Sequence, residues 1–173
     1  CFGRSAFAGH ALMSGYFLLI DIGNTRVKWA RVEGEQLISG VPFPAHPDGL
    51  SVIESTWSCF EQPLGVALSN VAGERVEGEI TSFIHHHWSL VPFIAKSQNF
   101  GLGVTSGYQD CERLGVDRWL ALVAARARSH QPVVIVDAGS ACTIDLLDAK
   151  GCHLGGYILP GLVSMGNALA HGT

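Results

Sequence analysis

The chain has 173 residues, of which 47% are hydrophobic and 15% charged, and its formal net charge is -4. That composition can build one ordinary domain or two small ones and is too apolar for a disordered chain. A mildly acidic chain without a Lys/Arg cluster is not a general nucleic-acid binder, and no apolar run approaches the roughly 18 residues needed to span a membrane.

In chain order, residues 1–14 read as a non-native or disordered leader, with Met13 as the natural start. Residues 17–22 are an apolar run of strand length, Gly23-Asn24-Thr25 is turn chemistry, and residues 26–32 and 36–41 read as two further strands around Glu33-Gly34-Glu35. Three strands on tight turns predict an antiparallel meander, ended by Pro42, Pro44 and Pro47. A helix over 50–60, a buried strand over 64–69, a helix over 75–86 and a short strand over 90–94 follow. After a loop with Gly101, Gly103 and Gly107, residues 115–129 give the clearest helix, with Asp117 at its start and Arg126 and Arg128 at its end, as the helix dipole favours. Strands are predicted over 133–137, 142–147 and 153–158, and Pro160-Gly161 opens a last apolar helix from Leu162.

The segment from Leu18 to Gly40 has an echo from Val133 to Gly156. In each, an apolar strand ends in Asp, then x-Gly, then a small polar residue, followed by strand, turn and strand. Asp21 falls on Asp137, Gly23 on Gly139, Asn24 on Ser140 and Gly40 on Gly156. A pattern recurring at long range predicts a duplicated unit. Such a pair suits a polyphosphate held between two related domains. An Asp at a strand end offers hard oxygen to Mg²⁺, Gly admits phosphate to the backbone, and the next Asn, Ser or Thr adds donors.

Taken alone, Asp21 to Lys28 is equally a phosphate loop or a hairpin with a polar turn. It is not a Walker A loop, since GxxxxGK[ST] is absent from the sequence. Asp117 is either a helix-start acid or a base for an attacking hydroxyl. Arg118 beside it is out of place in a first turn, where the dipole disfavours a cation, and this points to a carboxylate partner from substrate or protein. Gly155 to Gly161 is a turn or a flat wall against an adenosine. His85-His86-His87 cannot share one helix face and reads as a solvated or partly buried stretch rather than a metal site. Gly101-x-Gly103 lacks a third glycine, so a Rossmann turn is excluded. Five irregularly spaced cysteines, with no CxxC, read as free thiols of a reducing compartment.

At four segments the chain resembles the type III pantothenate kinases. Their D-x-G-N-T-x-x-K is matched in full by Asp21 to Lys28, and their Tyr upstream of L-G-x-D-R by Tyr108 and Leu114-Gly115-Val116-Asp117-Arg118. Their D-A-G-T-A-x-T is matched by Asp137 to Thr143 with Ser140 for the usual Thr, and their G-G-x-I-x-P-G by Gly155 to Gly161. Cys111 stands in a stretch where that family often has Pro. The resemblance covers residues 17–173 in family order and implies an α/β fold of duplicated RNase H-like (actin/hexokinase-like) βββαβα domains with a nucleotide cleft between them. The first domain would cover 15–114, and 115–173 would begin a second, incomplete one, because the family continues past Thr173 with further residues of that domain, including a Thr that contacts pantothenate.

The implied reaction moves the γ-phosphate of ATP to the primary hydroxyl of pantothenate, the first step of coenzyme A synthesis, in a cytoplasmic homodimer that engages neither nucleic acid nor membrane. By position, Asp21, Ile22, Gly23, Asn24, Thr25, Arg26, Val27 and Lys28, with Ser140, would bind ATP, Asp21 lying near Mg²⁺. Tyr108, Gly115, Val116, Asp117 and Arg118 would hold pantothenate, with Asp117 as proton acceptor and Arg118 on the carboxylate. Asp137 would help bind a monovalent cation, K⁺ or NH₄⁺. The alternatives are another small-molecule kinase or phosphatase of the superfamily, or a regulatory protein that kept the fold without catalysis.

Overall fold

A computed structural model of the chain describes residues 15–45 and 49–171; the expected leader at 1–14 lies outside them. Strand β1 (Phe17–Ile22) pairs antiparallel with β2 (Arg26–Glu33), which pairs with β3 (Gln36–Ser39) and with the two-residue β4 (Phe43–Pro44). The expected third strand stops short of Val41. The Gly40 amide turns back to the Trp29 carbonyl, and a Cβ on Gly40 would collide with the Trp29 indole. Helix α1 (Gly49–Trp57) then leads to β5 (Gly65–Asn70), which lies parallel to β1, and helix α2 (Glu74–Trp88) leads to β6 (Phe93–Ile94) beside β5. The path of this mixed sheet is β3-β2-β1-β5-β6.

Period-two alternation in β1 sends Leu18, Ile20 and Ile22 into a core with Val66 and Leu68 of β5. The helical period of α2 presents Val76, Ile80, Ile84 and Trp88 to the same core, which Trp57 completes. Each such side chain contributes about 1.5–3 kcal/mol by leaving water. Glu74 and Glu77 in the first turn of α2 and three histidines in its last agree with the helix dipole, and Ser89 at φ 55 ends the helix. That end lies past the sequence-predicted one, since Trp88 still reaches the core.

A small hairpin, β7 (Phe100–Gly101) and β8 (Val104–Thr105), and a 3-10 turn at Cys111–Arg113 precede helix α3 (Val116–Arg128). The second meander is β9 (Val133–Ala138), β10 (Ala141–Leu147) and β11 (His153–Pro160), antiparallel in the order β11-β10-β9, followed by α4 (Leu162–His171). Its core is smaller: Val104, Leu114, Trp119, Leu122 and Leu147, with Val133 and Ile135 against them. The register puts Val134, Val136, Tyr157 and Leu159 on the opposite face, and all four are exposed. Cys59, Cys111, Cys142 and Cys152 are unpaired thiols. No helix among the described residues is long and apolar enough to cross a membrane.

Candidate functional site

The first Asp-x-Gly loop joins β1 to β2. Asp21, the fifth residue of β1, lies in register with Lys28 on one side and Ser69 of β5 on the other. Ser69 Oγ donates to Asp21 Oδ1 at 2.8 Å, and Lys28 Nζ stands 3.8 Å from Asp21 Oδ2. The turn closes through the Gly23 amide, which donates to the Arg26 carbonyl at 3.0 Å. Asn24, Thr25 and Arg26 are exposed, whereas Ile22 and Val27 are core residues that anchor the loop.

The second loop joins β9 to β10 in the same way, with the Gly139 amide donating to the Ala141 carbonyl at 2.9 Å. Ile22 pairs with Val27 but Ala138 pairs with Cys142, so this turn is one residue shorter. Thr143 therefore stands opposite Asp137, where Lys28 stands opposite Asp21. Asp137 is exposed and has no ion pair among the described residues. The start of α4 rests on this loop: the Gly161 amide donates to the Ser140 carbonyl at 3.1 Å, and a Cβ on Gly161 would collide with the Gly139 carbonyl.

The two loops meet. Ser140 Oγ donates to Thr25 Oγ1 at 2.9 Å, across 115 residues of sequence. Two exposed carboxylates, one ammonium, several turn amides and the start of a helix thus frame one polar cleft, a setting suited to an anion.

A second group of residues gathers at the start of α3. Asp117 Oδ1 accepts from the Arg118 amide at 2.8 Å, and Gly115 leaves it room, since a Cβ there would come 2.5 Å from that oxygen. Val116 is buried and pins the helix start. Arg118 turns inward and is 4% exposed. Its Nε donates to Asp145 Oδ2 at 2.9 Å, its Nη2 to Asp145 Oδ1 at 2.5 Å, and its Nη1 to the Tyr108 hydroxyl at 3.2 Å. The carboxylate that the sequence pattern demands is therefore Asp145, a residue of this chain. Its hydrogen bond raises the Arg118 pKa above the ordinary value, burial opposing, so the guanidinium stays charged. Gly156, in register with Asp145, allows β11 to pass over the pair; a Cβ there would collide with Asp145 Oδ1.

His153 of β11 completes the cluster, its Nε2 standing 2.8 Å from Asp145 Oδ1. The Tyr108 ring lies nearly parallel to its imidazole, with centroids 5.9 Å apart and 13° between planes. Tyr108 forms one wall of a cavity of about 680 Å³ lined also by Gly107, Gln109, Asp110, Arg113, Gly155 and Gly156. Asp145 and His153 were not foreseen. The available signal was an Asp inside the otherwise apolar strand 142–147, opposite a glycine. Among the described residues no hydrogen bond or ion pair joins Asp117 to either loop, and no group of three His, Cys, Asp or Glu side chains gathers around a potential metal position. Tyr157, expected near an adenosine wall, projects from the exposed outer face of β11.

Two antiparallel meanders are thus each entered through an Asp-x-Gly loop, and the two loops are in contact. The type III pantothenate kinase family profile matches residues 17–173. The chain belongs to the type III pantothenate kinase family. It is 38% identical over 162 residues to a type III pantothenate kinase of Nitrosococcus oceani, covering 90% of this chain and 61% of that one. It is 41% identical over 155 residues to one of Dechloromonas aromatica, covering 89% and 63%. The chain thus spans about three fifths of the length of these curated relatives. Among solved structures, a candidate 2-dehydro-3-deoxygalactonokinase of Sinorhizobium meliloti superposes with a TM-score of 0.50 at 12% identity, covering 90% of this chain and 59% of that one, and shares its fold. Ethanolamine utilization protein EutJ of Carboxydothermus hydrogenoformans gives a TM-score of 0.48 at 13% identity, covering 91% and 56%.

Proposed function

We propose that this chain carries the ATP-binding and acceptor-orienting residues of an enzyme that phosphorylates pantothenate to 4'-phosphopantothenate, the first step of coenzyme A synthesis. The observation that carries the proposal is the Ser140–Thr25 contact, which sets the two Asp-x-Gly loops face to face. A polyphosphate between them meets turn amides and hydroxyls from both sides and the ammonium of Lys28 from one. The two meanders then belong to two related domains, 15–114 and 115–173, with ATP in the cleft.

Asp21 and Asp137 differ in a way that fits two different cations. Asp21 is oriented by Ser69 and neighboured by Lys28, so it suits a Mg²⁺ that takes its remaining ligands from water and phosphate. Asp137 is exposed and stands in register with a neutral Thr143, a setting without a competing ammonium that suits K⁺ or NH₄⁺. When bound, these ions would neutralise charge on the triphosphate.

Asp117, half-buried and held by the Arg118 amide, takes the proton of the pantothenate hydroxyl as its oxygen bonds to the γ-phosphorus and ADP leaves. Tyr108, Gly115 and Val116 shape the acceptor side. Arg118 acts from beneath, through Tyr108, since Asp145 occupies the Nε–Nη2 edge of its guanidinium and Nη1 donates to the Tyr108 hydroxyl. The test is a coupled ADP-release assay with Mg²⁺ and K⁺, with and without pantothenate. Pantothenate-dependent release, lowered about 10²–10⁴-fold by Asp117→Asn, supports the reading. Release driven by a sugar instead favours another kinase of the superfamily, and ATP binding without any acceptor-dependent release favours a regulatory protein.

A further inference from the structure

Tyr108 lies on a stretch, residues 106–110, with no regular secondary structure, yet its ring is held on two sides by residues far away in sequence. We propose that Asp145 and His153 are a buried positioning pair that aims Tyr108 at the acceptor cavity, an inference that rests on the pantothenate reading above only for the identity of the acceptor.

Asp145 is 2% exposed and His153 3%, and they come from neighbouring strands. Asp145 accepts three hydrogen bonds, two from Arg118 and one from His153. Both its oxygens face Arg118 as acceptors, so the hydrogen on this contact belongs to His153 Nε2, which fixes the imidazole plane. That plane is the floor on which Tyr108 lies. Meanwhile Arg118, locked by Asp145, offers its one remaining terminal nitrogen to the Tyr108 hydroxyl, with its guanidinium carbon 5.8 Å from the ring centroid. Ring plane and hydroxyl are thus set by different members of one cluster. Neither Asp145 nor His153 lines the cavity, so each acts through another residue.

The arrangement asks more of His153 than charge balance. Arg118 and Asp145 already neutralise one another, and His153 Nδ1 is buried without a partner, which a side chain present only for packing would avoid. Its face is what the stack uses. An aromatic substitute should preserve that face, whereas an aliphatic one should not.

The experiment labels the tyrosine rings with ¹³C in the full chain, which has three tyrosines. Tyr108 is assigned with Tyr108→Phe, Tyr16 reports on the fold, and pantothenate is the titrant. His153→Phe and His153→Leu are compared with the parent. The expected result is a Tyr108 signal displaced from random-coil values in the parent and in His153→Phe, and collapsed toward them in His153→Leu while Tyr16 stays put. Pantothenate affinity should fall about tenfold in His153→Leu and under about threefold in His153→Phe, the range of one aromatic pair. A Tyr108 signal unmoved by His153→Leu in the folded chain overturns the positioning pair. If His153→Leu frees Tyr108 as expected but pantothenate moves Tyr108 in no variant, the pair stands and the pantothenate reading fails.

Discussion

The two meanders of this chain begin alike and are held together differently. Around the first, strands and helices share an apolar core from Tyr16 to Trp88, with Trp57 fully buried in it. In the second, the position that faces α3 from the middle strand is Asp145, and the side chain it meets is Arg118. One half rests on apolar surface removed from water; the other adds to a smaller apolar core a buried ion pair from which neither member can be removed cheaply. The second sheet also keeps one face uncovered, with Val134, Val136, Tyr157 and Leu159 in solvent. The difference teaches that the echo is one of backbone path and loop geometry, while the side chains beneath differ in kind: an apolar core on one side and a buried Arg118–Asp145–His153 cluster on the other.

This contrast can be broken by substitution. Asp145→Asn leaves a charged guanidinium buried without its carboxylate and should cost about 3–5 kcal/mol, with hydrogen exchange rising first in β9–β11 and α3. If exchange instead rises evenly through both sheets, the two halves are not separately held. Leu18→Ala should cost about 2–5 kcal/mol by opening a cavity, with the exchange rise confined to the first sheet, as measured in urea and by exchange. Gly156→Ala drives a methyl into Asp145 and should cost about 1–3 kcal/mol while loosening Tyr108, which the ring signals above would register.

The smallest effect is alkaline. The Tyr16 phenol donates to the Glu61 carbonyl at 2.6 Å, and burial raises its pKa above the usual 10.0, the nearby Arg31 opposing. A raised folded-state value means that its contribution is intact below the unfolded pKa and is lost as pH climbs through the folded one. Urea midpoints should therefore fall above about pH 10 in the parent and less so in Tyr16→Phe. Equal losses in both would remove Tyr16 from the account.

Most of the chain path was legible because it rests on local rules. Apolar runs of strand length gave β1 and β9, Gly and Pro marked the turns around β2, and Asp117 with Arg126 and Arg128 bracketed α3 within a residue or so. The short strands β4, β7 and β8 left no such trace, being two residues each and defined by what they pair with. The cleft was half legible: Asp21 and Asp137 announced themselves, but the missing residue in the second turn, which swaps Thr143 for Lys28, emerges only from register. Arg118 was conspicuous for standing against the dipole, yet its partner 27 residues away could be named only once β10 was laid beside α3. His153 gave no sign at all, because a histidine before a glycine pair reads as an ordinary strand residue until the ring above it is seen.

The central claim is that the two Asp-x-Gly loops form one polyphosphate site. Amide hydrogen exchange of the chain with and without Mg²⁺ and a non-hydrolysable ATP analogue tests it most directly. The account predicts that residues 22–26 and 138–141 gain protection together, and that Asp21→Asn abolishes the gain in both. Protection of one loop alone, or of neither while the analogue binds elsewhere, would contradict it.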